Sequence, residues 1–242
     1  MGEIEKRAGM EPTPLWKYIP SAALLSIGLI FWDIQMVLSI ALMAIGIASL
    51  AIPTQNYPKD IDSWKIAPFT QADKNYAVMH TVIPAAAFAG NIFIEDSPLG
   101  LPPLVSSIGL GVAFGVSTVF AVTRTTAVYR RKTREHVELI LRNSSLEEVT
   151  TSDLDALDHP EPRILGRALL AHGAIDGTRV MARQLAKVLD WSVEQVHEVA
   201  RPLDKHGITS RSTIMSGGDP AKIYVELTEK GVVLLSELHR GR

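Results

Sequence analysis

The chain of 242 residues has no cysteine. That absence excludes a disulfide framework, thiolate zinc sites, iron–sulfur clusters and a cysteine nucleophile. A chain-wide basic excess is missing too: the net charge is −2, so nucleic-acid binding would have to come from a local patch. The seven histidines (His80, His136, His159, His172, His197, His206 and His239) form no His-Glu-x-x-His pair, and no serine sits in a nucleophile elbow. No glycine-rich phosphate loop follows a strand, and Gly217-Gly218 reads as a turn. Enzyme activity, a metal and a cofactor are therefore not expected.

The charges that are present are unevenly placed. Residues 18–53 carry one, Asp33, and 104–123 carry none, whereas 129–242 hold 17 acids and 17 bases. A single soluble globule does not sort its charges this way. Four apolar stretches approach the ~20 helical residues needed to cross a hydrocarbon core: 15–31, 34–52, 76–94 and 104–123. Trp16, Tyr18, Trp32, Tyr76 and Tyr129 stand at their ends, where amphipathic rings favour a headgroup zone. Lysines and arginines occur in the tail (Lys6, Arg7, Lys17), in the 54–75 loop and after residue 123, but not in the other two connections. The positive-inside bias then places both termini inside.

The expected fold class is an α-helical four-span membrane domain followed by a small α+β winged-helix domain. Its parts are a tail (1–14), the spans (15–128), a basic juxtamembrane helix with an acidic linker (129–161) and the winged helix (162–242). The neutral tail, followed directly by a second apolar stretch, reads as an anchor rather than a cleaved signal. Within the spans, His80 and Asn91 are polar groups expected to make helix contacts or to mark a pathway. Ser107, Gly111 and Gly115 form a small-xxx-small ridge for membrane packing. The run Arg130-Arg131-Lys132 with Arg134 is suited to anionic lipid headgroups. Helix starts are expected at Ser145 and Ser152, each with a carboxylate three residues on.

From Pro162 the periodicity changes. An amphipathic helix is expected over 163–172, ending at Gly173. Thr178 should cap a second, burying Val180, Met181, Leu185, Val188 and Leu189. Ser192 should cap a third, with Gln195 completing a capping box and Gly207 stopping it; Pro202 should bend it. Two alternating runs, 210–216 and 221–227, flank a Gly-Gly-Asp-Pro turn and predict a hairpin. Thr228 should cap a last helix, 229–238.

The segments Leu185-Ala186-Lys187-Val188-Leu189, Leu203-Asp204-Lys205-His206-Gly207-Ile208 and Leu227-Thr228-Glu229-Lys230-Gly231 resemble the winged helix-turn-helix of MarR- and PadR-type regulators. There they correspond to the second helix, the glycine-stopped end of the recognition helix and the strand-to-helix corner after the wing. The resemblance covers about residues 162–239, a third of the chain. It implies that 192–206 enters a major groove of double-stranded DNA and that the 211–222 hairpin touches its backbone or minor groove. Arg179, Arg183, Arg201, Arg211 and Lys222 would meet phosphates, and Gln195, behind Ser192, would read adenine. Glu194 and Glu198 oppose this unless they accept from cytosine, and the net charge of 162–242 is only +3.

The function these features point to is a membrane-tethered, one-component transcription regulator. It is expected in a prokaryotic inner membrane, multi-pass, with a cytoplasmic winged helix and a homodimer on a palindromic site. The alternative is an accessory or scaffold subunit of a membrane assembly, whose winged helix docks a protein.

Overall fold

A computed structural model describes residues 4, 7–9, 15–32, 34–54, 59–60, 79, 82, 86, 103–144, 149–213 and 216–240. The chain divides into two compact units, Thr13–Gln55 with Phe69–Val128, and Met1–Pro12 with Asn56–Pro68 and Tyr129–Arg242.

The first unit contains helices α1 (Ile19–Ile30) and α2 (Met36–Thr54) and the first part of α3 (Pro103–Asn143). The first two form an antiparallel pair joined through Phe31–Gln35. Ser49 Oγ donates to Ser21 Oγ at 2.7 Å near one end, and Ser39 Oγ donates to the Gly28 carbonyl at 2.6 Å near the other. A methyl group added at Gly46 would lie 2.9 Å from Leu25, so the backbones approach because glycine leaves room. The ridge on α3 is used in the same way. Ser107 is buried, Gly111 lies against Ile30 and the Ser26 carbonyl, and Gly115 against Ser26 and Ala22. These small residues make a seam within the chain.

The four-span expectation does not hold. Residues 15–31 are broken into a 3-10 turn (Leu15–Lys17) and the 12-residue α1, about 18 Å long at 1.5 Å per residue against the ~30 Å of a hydrocarbon core. The second stretch begins at Met36 rather than Ile34 and gives 19 residues. The fourth stretch does continue, as expected, into the basic juxtamembrane helix, and the two make one 41-residue helix, α3. Among the described residues no helix is long and apolar enough to cross a membrane. This overturns the multi-pass architecture and the inner-membrane location drawn from it. The third stretch, with His80 and Asn91, lies outside the described residues apart from positions 79, 82 and 86.

The second unit takes in the end of α3, then α4 (Thr151–Asp158), α5 (Pro160–His172), β2 (Thr178–Met181), α6 (Ala182–Leu189), α7 (Val193–Lys205), β3 (Thr209–Ser212), β4 (Tyr224–Leu227) and α8 (Glu229–Arg240). The strands form a small antiparallel sheet in the order β2-β4-β3, with Val180 opposite Val225 and Arg211 also opposite Val225 from the other side. A two-residue strand, β1 (Lys59–Asp60), pairs with the outer edge of β2. Leu157, Leu165, Leu169, Leu185, Leu203 and Leu234 are fully buried between the helices and the sheet, with Val137 from α3.

Most caps fall where the side chains place them. Gly173 adopts the left-handed conformation that ends α5, and Ser192 Oγ accepts the Gln195 N–H at 3.0 Å to start α7. Three expectations need correction. Residues 178–181 form strand β2, because Val180 and Met181 find partners on β4; α6 starts only at Ala182, and Val188 is left half exposed. The cap of α4 is Thr150, not Ser152: its hydroxyl accepts from the Asp153 N–H while Asp153 accepts from the Thr150 N–H. In the 221–227 run, Pro220–Lys222 makes a 3-10 turn and the strand begins at Tyr224. Pro202 lies within α7, which continues to Lys205. The expected start at Ser145 lies outside the described residues.

Asp153 ties the unit's helices together. Its carboxylate meets Lys230 Nζ at 2.8 Å and His206 Nδ1 at 2.9 Å. The Lys230 ammonium, helped by the Thr150 and His206 hydrogen bonds and opposed by burial, holds this carboxyl well below the usual range.

Candidate nucleic-acid interface

Helices α6 and α7 pack together, and the 3-10 turn Pro220–Lys222 packs on both. His197, buried on α7, brings Nε2 to 2.9 Å from the Pro220 carbonyl. The Ala182 N–H donates to the Ile223 carbonyl at 2.8 Å, so Arg183 and Lys222 flank one backbone bond at the base of the hairpin. The helix pair and hairpin therefore form one continuous surface. Its outward residues follow helical spacing: Arg183 and Lys187 on α6, and Glu194, Glu198, Arg201 and Lys205 on α7, all exposed.

Only part of the set expected to contact DNA is available. Arg179 is nearly buried, with Nη2 3.0 Å from Glu226 Oε1; that buried carboxylate also accepts the Gly177 N–H at 2.7 Å. Arg179 thus neutralises a carboxylate inside the sheet, because burying Glu226 without a cation would cost several kcal/mol, roughly. Arg211 places Nε 3.0 Å from Asp204 Oδ2 and is partly buried. Lys222 is exposed, with Nζ 3.5 Å from Asp219. Gln195 donates from Nε2 to Glu161 at 3.1 Å; its amide is engaged with the start of α5 instead of closing a capping box. Ser192 is exposed, but its hydroxyl accepts the α7 cap bond.

Arg183 and Arg201 remain exposed, with no partner shown among the described residues. Lys187 and Lys205 share that state and were missed as contacts, although each lies four residues beyond one of these arginines on the same helix face. The partners of Arg179, Arg211 and Gln195 come from β4, the end of α7 and the start of α5. Of these, only the Asp204–Arg211 pair lies close in sequence.

Electrostatically, the exposed stripe of α7 is divided. Its first two turns present Glu194 and Glu198; its last two present Arg201 and Lys205, the arrangement the helix dipole favours. Among the described residues, no three His, Cys, Asp or Glu side chains gather as a metal site. Comparison with protein-family models, with curated proteins and with solved structures finds no match.

Proposed function

We propose that residues 160–240 are a winged-helix module that binds double-stranded DNA as a transcription regulator. On this proposal α7 lies at the major groove, and the 209–227 hairpin lies on the adjacent backbone. The observation that carries it is the set of four exposed cations, Arg183, Lys187, Arg201 and Lys205, two on each helix of the pair, with no carboxylate partner shown among the described residues. Phosphate contacts of this kind supply affinity and register, while base edges supply specificity.

The full chain, titrated with a labelled mixed-sequence duplex at several salt concentrations, tests the proposal. Four phosphate contacts predict that log K falls with log salt at a slope of roughly −3.6. Replacing both Arg183 and Arg201 by alanine is expected to lower affinity about tenfold or more and to flatten the slope by roughly 2. A slope and affinity unchanged in the double variant would refute these contacts.

A second proposal is docking of a protein partner with a basic surface. It is favoured by Glu194 and Glu198, which occupy the half of α7 that enters the groove in helix-turn-helix complexes. No DNA binding at low salt by a folded chain would turn the assignment to docking. Binding that strengthens in Glu198→Ala would keep it with DNA.

A further inference from the structure

The second unit has an open cavity of about 420 Å³, on the side of α5 where that helix meets the ends of α6 and α8. Its volume falls in the range of small-molecule sites, about 300–1,000 Å³. Ile164, Val188, Leu235 and Leu238 form an apolar wall. Ile164 and Val188 are 44% and 45% exposed, so the wall is open to an incoming apolar group. Residues near the start of the chain complete it. Ile4 and Ala8 are buried, and the Gly9 N–H donates to the Leu170 carbonyl at 3.0 Å, which sets Arg7 at the cavity.

The charged residues of the lining all have one sign, Arg7, Arg163 and Arg167, with no carboxylate among the described lining residues. Arg163 is anchored, since its guanidinium donates to the Asp158 carbonyl at 2.9 Å and pairs with that residue's carboxylate. One turn further on the same helix, Arg167 is exposed, with no partner shown among the described residues. An apolar cavity with a guanidinium at its edge matches an amphipathic anion: the wall removes the apolar body from water, and the planar fork takes a carboxylate in a bidentate pair.

We propose that this cavity binds an acyl carboxylate, its chain along Ile164, Val188, Leu235 and Leu238 and its head on Arg167. The site does not rest on the DNA-binding assignment: neither α7 nor the hairpin lines it, and α6, which belongs to both, gives Val188 and Leu189 to the cavity but Arg183 and Lys187 to the interface.

Calorimetric titration of the full chain with decanoate tests the site. The expected result is saturable binding to one site, about tenfold weaker for decanol, which keeps the chain and lacks the charge. Arg167→Ala should weaken decanoate about tenfold and leave decanol unchanged. Ala168→Phe, which fills the cavity, should abolish both; if that variant fails to fold, the charge test on Arg167→Ala decides alone. Absence of saturable binding overturns the proposal, as does equal affinity for decanol and decanoate. Equal uptake by the wild type and the folded variants would place the ligand elsewhere, such as on the exposed apolar faces of α1 and α2, and would overturn it as well.

Discussion

Gly231→Ala is expected to destabilise the second unit by about 3 kcal/mol, at the upper end of the usual cost of overpacking. A methyl group there would run into the Ile208 carbonyl and would lie 2.9 Å from Leu227 Cδ1. The backbone at this corner has little freedom to withdraw. Thr228 Oγ1 donates to the Gly207 carbonyl at 2.6 Å and accepts the Gly231 N–H at 3.1 Å, while the Thr228 N–H donates to the Ile208 carbonyl at 3.1 Å. Gly207→Ala provides the contrast. Gly207 has φ +68°, and a methyl group there meets nothing within 4 Å. Its cost is therefore conformational only, about 1 kcal/mol. Hydrogen exchange of α8 and β4 amides checks both, with protection expected to fall roughly a hundredfold for Gly231→Ala and about fivefold for Gly207→Ala. Equal losses would show that the close approach of α8 to the 207–208 corner does not govern stability.

Asp153→Ala should be nearly as damaging, at roughly 3 kcal/mol. The substitution removes the Thr150 capping box and leaves Lys230 and His206, both partly buried, without their carboxylate. Three elements then lose a common tie: α4, the end of α7 and the start of α8. The same residue sets an acid limit. Its folded-state pKa is held below the unfolded value of about 3.9, chiefly by Lys230. The stability it contributes is therefore fully present above that value and is lost as pH falls through the folded-state pKa. Urea titrations between pH 6 and pH 2.5 should show the wild type losing more stability below pH ~4 than Asp153→Asn does. Parallel pH curves would rule out this carboxylate as the source of acid sensitivity.

Much of the second unit was legible because its signals are local. Gly173 and Gly207 need the left-handed conformation that stops helices, Ser192 and Thr228 reach their own caps, and the alternating runs 210–216 and 221–227 announce a hairpin. Residues 178–181 were misread because β-strand formation depends on a partner. Val180 and Met181 suit a helix face as well as a strand, and β4, more than forty residues away, decides between them. The interface divided in the same way. The exposure of Arg183 and Arg201 follows from helical periodicity. The engagement of Arg179 by Glu226 and of Gln195 by Glu161 spans 47 and 34 residues, which no local pattern displays.

In the first half, hydropathy identified apolar stretches but not what their residues pack against. Gly28, Gly46, Gly111 and Gly115 spend their missing side chains on contacts among α1, α2 and α3, and the first stretch breaks at Tyr18 into a turn and a short helix. Composition and periodicity alone determined most helices of the second unit, the helix ends at Gly173, Ser192 and Thr228 and the outward face of α7, because those depend on neighbours within a few residues. Which cations stay exposed, which strand pairs with which, and where Arg7 joins Arg163 and Arg167 around a cavity were decided only by the tertiary structure. Each of those depends on groups that folding brings together from distant parts of the chain.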